Sequence, residues 1–458
     1  MHHKSFRIIS LTIAAILLLG LSIHPHKAYA QQNWEIDVNT TEDLKDPAHN
    51  THCSAGQPTG GPCSLRAAIF EGSRYTAGSV TIRVPPGEYK LTRTAPDYPG
   101  EFEDQYGDLD FPSLPDGEST SIFLAGTGDT DHPSVIDANF IDRVMQIGRG
   151  HTVYLINLVL KNGLTKYLDN DSDYDGGGLY VKEATVILIH VRLTNNEARG
   201  RTEEPFRAGL GGAINANNAD MSLWNCELDH NHADNSSALR AWTSNIRINS
   251  STFHHNLLDD DRDWHIGLNF GEARMINSTV ADNIGGSHLI GILGGATSKP
   301  VTIQYSTIIA GSRSGAIYTN SDFDNLQLFY NILQVKPTPG IESEPVCGIP
   351  AAARPSLGGN VSSDDSCYPT VNDRVVPYAE MMLAPLGDYG GLTPTIALRK
   401  DSPATRVMMN NCDTLDGQSL DYDQREKERI DLWCDAGAFE LQEDEEPSII
   451  YLPLIIKK

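Results

Sequence analysis

The sequence predicts an all-β chain wound as a right-handed parallel β-helix, with an N-terminal capping helix and a disulfide-containing C-terminal region. Three observations predict it. One short strand pattern recurs seven times, starting at Val153, Val186, Met221, Ile246, Ala273, Val301 and Leu326, and offsets 0, 2 and 7 are apolar in every copy. The copies are roughly 25–35 residues apart, the period of stacked-repeat architectures, and each is too short to be a helical repeat. Offset 10 reads Gly163, Asn196, Asn231, Asn256, Asn283 and Gly311 before Lys336 breaks it. Gly and Asn tolerate left-handed backbone, so a bend is expected there, where each strand ends.

Within a copy, apolar residues at offsets 0 and 2, then 5 and 7, alternate with a phase slip between them, as in two short strands joined by a bend. A glycine-led motif precedes several copies: Gly176-Gly177-Gly178-Leu179-Tyr180, Gly211-Gly212-Ala213-Ile214, Ser237-Ala238-Leu239 and Gly315-Ala316-Ile317. It supplies a third strand per coil, and coils of this kind stack about 4.8 Å apart with like residues in inward columns. Loops at 166–175 and 199–207 lengthen the first two spacings. Upstream, Val80–Val84 and Ser121–Leu124 read as earlier coils, and Val144–Ile147 leads into the first full copy. The open end of such a stack needs a cover. The segment Cys63–Ser73 provides one, with Leu65, Ala68 and Ile69 on one face of a short helix and Ser64 as its N-cap. The expected divisions are 31–92 for the capping module, 93–334 for the β-helix and 335–440 for the C-terminal region. Residues 441–458 form an acidic linker with a short apolar tail, read as a final strand or a sorting tag.

Residues 1–30 read as a secretory signal: Lys4 and Arg7, an apolar stretch Ile8–Ile23, and Ala28-Tyr29-Ala30, with cleavage expected after Ala30. The predicted location is therefore secreted or cell-surface. With 35 Lys+Arg against 60 Asp+Glu the formal net charge is -25, a surface that repels nucleic acid and anionic membrane. Neither that apolar stretch nor the one at Ile449–Ile456 reaches the ~20 residues of a span, so no transmembrane segment is expected in the mature chain. Seven cysteines in an exported chain suggest three disulfides and one leftover. Short spacings propose Cys53–Cys63, Cys347–Cys367 and Cys412–Cys434. Cys226, at offset 5, is expected as a buried thiol in an inward stack.

Several motifs in order resemble a group of exported bacterial proteins. Cys63-Ser64-Leu65-Arg66-Ala67-Ala68-Ile69 resembles the CSLREA motif, preceded by the extended Val38–Thr41 segment. Pro85–Leu91, Gly107-Asp108-Leu109-Asp110 and Ile136–Asn139 are similar to the same group. Pro385–Thr395, Ser402-Pro403-Ala404, Asp423-Gln424-Arg425 and Asp435–Glu440 resemble its choice-of-anchor Q region. The resemblance implies a pectin-lyase-like β-helix in a surface or secreted protein, and it brings no catalytic residues. Two departures stand out. Ala67 replaces the Glu that would close a capping box with Ser64, and Arg406 stands where an acid is usual.

Asp169, Asp171, Asp173 and Asp175, followed by Gly176, place carboxylates at every second position and could hold Ca2+, although the twelfth position of the loop is Lys182 rather than Glu. The alternative is a solvated acidic loop. Asp259, Asp260, Asp261 and Asp263 are consecutive enough for their carboxylates to point apart, unlike the paired acids of a glycosidase. Arg247 and Arg274 share an outward register one coil apart, where two guanidiniums repel unless an anion lies between them. Trp224, Trp242, Trp264, Tyr305 and Tyr330 are aromatic candidates for stacking on sugar rings, and the two tyrosines share offset 4, where they can instead stack on each other. The outward offsets carry one acid, Glu227, expected beside Arg247. The reading favours a non-catalytic module that binds polysaccharide or cell-wall glycan, or a surface protein, or serves a structural role. The alternative is a polysaccharide lyase or glycosidase on the same fold.

Overall fold

In the computed structural model the described residues are 33–46, 53, 61–94, 106–166, 175–200, 208–259, 261–295, 299–350, 353–409, 412–429 and 433–443. Residues 1–30, expected as a signal, and the apolar tail lie outside them. The seven copies stack in parallel with no slip. Val153, Val186, Met221, Ile246, Ala273, Val301 and Leu326 are successive register partners, as are Leu160, Leu193, Leu228, Phe253, Val280, Ile308 and Leu333. Offsets 0–3 form a first strand row and offsets 6–8 a second row of one 19-stranded sheet. The glycine-led motif forms a third row of nine strands, from Leu109–Phe111 to Cys347–Gly348. A short four-stranded sheet, Leu164–Lys166 to Leu257–Leu258, follows the second row. The alternating inward residues fill one continuous apolar core from Ile36 to Cys367.

The phase slip inside each copy is a single left-handed residue. Asn157, His190, Asn225, Ser250, Asn277, Tyr305 and Tyr330, all at offset 4, have φ between 45° and 57°. The second bend corrects the expectation for offset 10. The left-handed residues are at offset 9: Asn162, Asn195, His230, His255 and Asp282. The asparagines at offset 10 turn inward; Asn196, Asn231 and Asn256 are fully buried and Asn283 partly so. Each amide oxygen accepts the backbone N–H of the preceding coil's residue, Gly163 to Asn196, Asn196 to Asn231, Asn231 to Asn256 and Asn256 to Asn283, at 2.9–3.0 Å. The amide nitrogens donate to the carbonyls of Leu160, Leu193, Leu228 and Phe253. A left-handed bend takes these backbone groups out of the sheet ladder, and a buried, unmatched group is costly, so the side chain takes their place.

A second column does the same work at offset 5. The N–H of Cys226, Ser251 and Ser278 donates to the hydroxyl of Ser251, Ser278 and Ser306 respectively, and Ser306 N–H donates to Asn331. Each serine hydroxyl donates to the carbonyl two residues earlier. Cys226 occupies the first place in this column, its Sγ directed at the Trp224 carbonyl. Burial pushes its thiol up to about 12, against the opposing backbone hydrogen bonds of Val191, Trp224 and His190. It is a structural element of the column, and its protonated state keeps it inert.

The predicted helix is Leu65–Gly72, with Ser64 Oγ accepting the Ala67 N–H; Leu65, Ala68 and Ile69 join Val80 and Ile82 in the core. All three proposed disulfides are present, Cys53–Cys63, Cys347–Cys367 and Cys412–Cys434, and Cys226 is free. The parallel ladder runs past the last copy through Val361–Ser362 to Arg374–Val375. The chain then folds back as a module with two antiparallel pairs, Leu383–Gly387 with Thr395–Leu398 and Met408–Met409 with Trp433–Cys434. This module covers the second row. A buried outward column, Thr252, Thr279 and Thr307, meets it: Gln424 donates to Thr252 and accepts from Thr279, while Thr307 accepts the Ala438 N–H. The motif residues Asp423 and Arg425 form a buried ion pair, the motif residue Glu440 forms another with Arg429, and the Arg425 guanidinium lies 3.4 Å over Phe439.

Position 226 separates two effects. Cys226→Ser keeps both hydrogen-bonding functions and is expected to unfold within about 1 kcal/mol of the parent. Cys226→Ala removes the acceptor for Val191 N–H and is expected to cost about 1–3 kcal/mol. Urea denaturation of the two variants checks the order, which reverses if the site were merely an apolar filler.

Candidate functional site

The outer face of the first strand row is bare between two walls. Along it, Asp220 pairs in register with Asn245, Ser222 with Arg247 and then Arg274, and Trp224 with Asn249. Arg247 is exposed, and Trp224 shows 44 % of its surface to water. At the bend leading in from the third row, Trp242 and Phe270 meet edge-to-face at 5.0 Å, with Arg240 5.2 Å over the Trp242 ring. They are 37 % and 49 % exposed. Phe270 has φ 58°, a conformation that turns its ring outward from the coil instead of into the core. On the opposite side rises the C-terminal module. Arg274 donates to both carboxylate oxygens of Asp416 at 2.9 Å, and Asn225 Nδ2 donates to Glu426 at 3.3 Å. The hydrogen bonds from Arg274, then Thr414, hold the Asp416 carboxyl down at about 2.

Three of the sequence-predicted residues, Trp224, Arg247 and Arg274, thus share this face. Arg274 is taken up by Asp416, which resolves its repulsion with Arg247 and leaves Arg247 exposed. Tyr305 and Tyr330 do not belong to the face. Both are fully buried and stack at 4.9 Å beneath the C-terminal module, where Tyr305 donates to the Asp413 carbonyl. They are bend residues whose outward rings the module has covered, so they cannot meet a ligand. Trp264 lies stacked on Tyr318 over the third row. Asp169, Asp171 and Asp173 lie outside the described residues, and only Asp175 of that loop is within them.

Across the offset-4 bend, at the edge of the C-terminal module, is a polar cluster that the strand pattern did not single out. Glu227 does not neighbour Arg247. It lies in the second row, in register with Arg192 and Thr252, on the far side of the bend. Asp229, one outward position further, is a second acid, in register with Thr194 and His254. Glu227, Asp229 and His254 bring three ligand-type atoms within 4.8 Å of one another. Asp229, 0 % exposed, accepts from Nε and Nη2 of Arg192 at 2.8 Å, from the Thr194 hydroxyl at 2.9 Å and from His230 Nδ1 at 2.7 Å. Burial works to raise the Asp229 carboxyl, but these donors, Arg192 first, prevail and lower it. The same hydrogen bonds raise Arg192. His254 Nε2 meets Glu227 at 2.9 Å, and its Nδ1 meets His255 Nδ1 at 2.7 Å. Around the next bend His232 bridges Glu197 at 2.8 Å and Asp259 at 2.9 Å. Asp229 and His254 both stand at offset 8, a polar position that the apolar pattern does not mark.

No family model matches the chain, and no curated protein matches it. Among the solved structures similar to it are the following two. One is a pectate lyase, Pel9A, at 12 % identity and a TM-score of 0.43, covering 90 % of this chain and 97 % of that one. The other is a mannuronic acid specific polysaccharide family 6 lyase from human gut microbiota, at 11 % identity and a TM-score of 0.20, covering 62 % of this chain and 81 % of that one.

Arg192→Leu tests the cluster. It leaves Asp229 buried without its cation, and the expected loss of stability is about 2–3 kcal/mol at pH 7, moderated because Arg192 is half in water. A carboxyl lowered by folding stabilises above its unfolded pKa of about 3.9 and ceases to do so as the pH falls through its folded value. The gap between parent and variant should therefore be full at pH 7 and narrow below about pH 4. Denaturant titrations across that range read it directly.

Proposed function

We propose that this is an exported protein whose β-helix binds a polysaccharide along the outer face of its first strand row and does not cleave it. The observation that carries this reading is the exposure of Trp224 and Arg247 on the outer face of the first row, with the exposed Trp242–Phe270 pair at the bend that leads into it. Aromatic rings offer apolar platforms for sugar faces, and a guanidinium offers a planar fork for a carboxylate. Stacked coils repeat such positions at about 4.8 Å, which suits an extended polymer. The signal-like segment 1–30 supports export. The motifs at Cys63–Ile69 and Pro385–Thr395 support membership of the CSLREA and choice-of-anchor group. Adhesion to a surface protein would use the same face.

A second reading, a polysaccharide lyase or glycosidase, has one observation in its favour: the hydrogen-bonded Glu227–His254 pair beside Arg192. Against it, Asp229 already accepts from three side chains and Glu227 from His254, whereas acid and base catalysis needs groups free to reach the substrate.

Binding to a panel of acidic and neutral polysaccharides, with product assays on the same samples, decides between them. The expected result is retention on at least one glycan, no product, and affinity weakened about tenfold or more, 1.4 kcal/mol, by Trp224→Ala and by Arg247→Ala. Turnover abolished by Glu227→Gln would overturn the binding reading in favour of an enzyme. Neither retention nor turnover would leave the protein-adhesion or structural role.

A further inference from the structure

The outer face of the third row changes character halfway along the stack. One outward column reads Tyr180, Asn215 and Arg240 in successive coils, then Gly267 and Gly291, and then Tyr318 and Gly348. A second column, three residues earlier in each coil, reads Trp264, His288 and Gly315. Glycine weakens a strand interior, and it marks a place where something must approach the backbone closely. Here aromatic rings make the approach.

A Cβ at Gly291 would meet Cγ, Cδ2 and Cε3 of Trp264 together, so the indole lies face down on that glycine. Its other edge rests on Gly267, where a Cβ would come within 2.5 Å of Nε1 and 3.0 Å of Cδ1. Trp264 Nε1 is buried there and has no hydrogen-bond partner among the described residues. Close contact with the backbone holds the ring, not its polar atom. Tyr318 continues the layer, its plane within 12° of the indole and its centroid 5.9 Å away. Gly348 seats it: a Cβ there would lie 3.3 Å from Tyr318 Cδ2. His288, over Gly315 and Gly348, braces Tyr318 at a centroid distance of 5.4 Å. All three rings are part-exposed, and among the described residues their ring partners are one another.

No member of this strip is charged at neutral pH. Burial pushes His288 down to about 4, so its imidazole is neutral, and the other members are Gly, Trp and Tyr. Arg240 bounds the strip one coil before Gly267. The net charge of -25 opposes an acidic polymer wherever no cation meets it, so the strip fits an uncharged chain. We propose that Trp264 and Tyr318 form a platform for an uncharged polysaccharide of β-linked, all-equatorial pyranose sugars laid along the β-helix axis. Such sugars turn C–H groups to both faces of a flat ribbon, and an aromatic ring is a matching apolar surface. An axial hydroxyl would hold the sugar off the rings. Coils about 4.8 Å apart set the two rings in line with the stack, the direction an extended chain would take. The platform is separate from the first-row face and uses none of its residues.

Calorimetric titration of the purified protein with cellohexaose, a soluble chain of that geometry, tests it against maltohexaose, whose α-linkages coil the chain. Cellohexaose is expected to bind the more tightly. Trp264→Ala and Tyr318→Ala should each weaken it about tenfold or more. Trp264→Phe, which keeps a flat ring, should weaken it less than Trp264→Ala. Gly291→Ala should weaken it although the indole is retained, because the added methyl lifts the ring off its seat. Melting curves of each variant show that the fold is intact. The proposal is overturned if the parent binds no cellohexaose, in which case the rings only cover the glycine backbone, or if maltohexaose binds as tightly. Affinity that falls with Trp224→Ala and not with Trp264→Ala would put the chain on the first row, overturning the platform while supporting that other face. A parent dimer that Trp264→Ala dissociates would make the strip a contact between two copies, and would overturn it too.

Discussion

Everything in this molecule depends on how the coil turns its corners. A left-handed residue at each bend removes neighbouring N–H and C=O groups from the sheet ladder while keeping them buried. The inward asparagines at offset 10 and the Ser/Cys/Asn column at offset 5 satisfy those groups with side chains from the adjacent coil. Because each side chain bonds to the coil before it, a slip of one residue would break a whole column at once. Register is therefore specified twice, by apolar stacking and by the polar columns. The apolar contribution is the larger in area, but the polar one is the more exacting, since an unmatched buried amide costs about 1–3 kcal/mol.

Fixed register turns single residues into columns on the outside as well. The threonine column Thr252, Thr279 and Thr307 becomes the seat of the C-terminal module, which engages it through one glutamine, Gln424, and the Gly437–Ala438 turn. That module begins where the threonines begin. Coils with Arg192 and Glu227 at the same position remain bare, so the edge of the module coincides with the charged cluster. The Arg274–Asp416 ion pair and Asn225–Glu426 contact continue the same boundary on the first row. The two candidate surfaces thus border one structural seam.

The coil was legible in the sequence because it is written in apolar periodicity, and the core tolerates few departures. Every offset-0 and offset-7 residue found its expected partner, and the helix at Leu65 and the three disulfides are present as read. The bend was placed one residue late, because Asn is both a common left-handed residue and a common inward ladder, and sequence cannot separate the two uses. The tyrosines at 305 and 330 were read partly as ligand platforms because a column on its own does not reveal what covers it. Their cover, Asp413 and its neighbours, comes from 108 residues away in the chain. Arg274 is similar: its carboxylate partner lies 142 residues on. Long-range closure was the illegible part.

The histidine column illustrates how a repeat generates chemistry without a motif. Positions 230 and 255 are bend residues first, occupying a left-handed conformation that Asn fills in the two coils before them and Asp in the one after. Imidazole is a less common choice there, and its two neighbouring occurrences coincide with acids or histidine at offsets 6 and 8, Glu227, Asp229 and His254, in the same two coils. A bend that needed only backbone tolerance would be served by Asn in every coil. Two stacked imidazoles, each hydrogen-bonded through Nδ1 to a side chain of the second row, are held in one orientation on the surface. The departure from Asn is thus the feature that ties a repeated corner to the polar cluster of the neighbouring row.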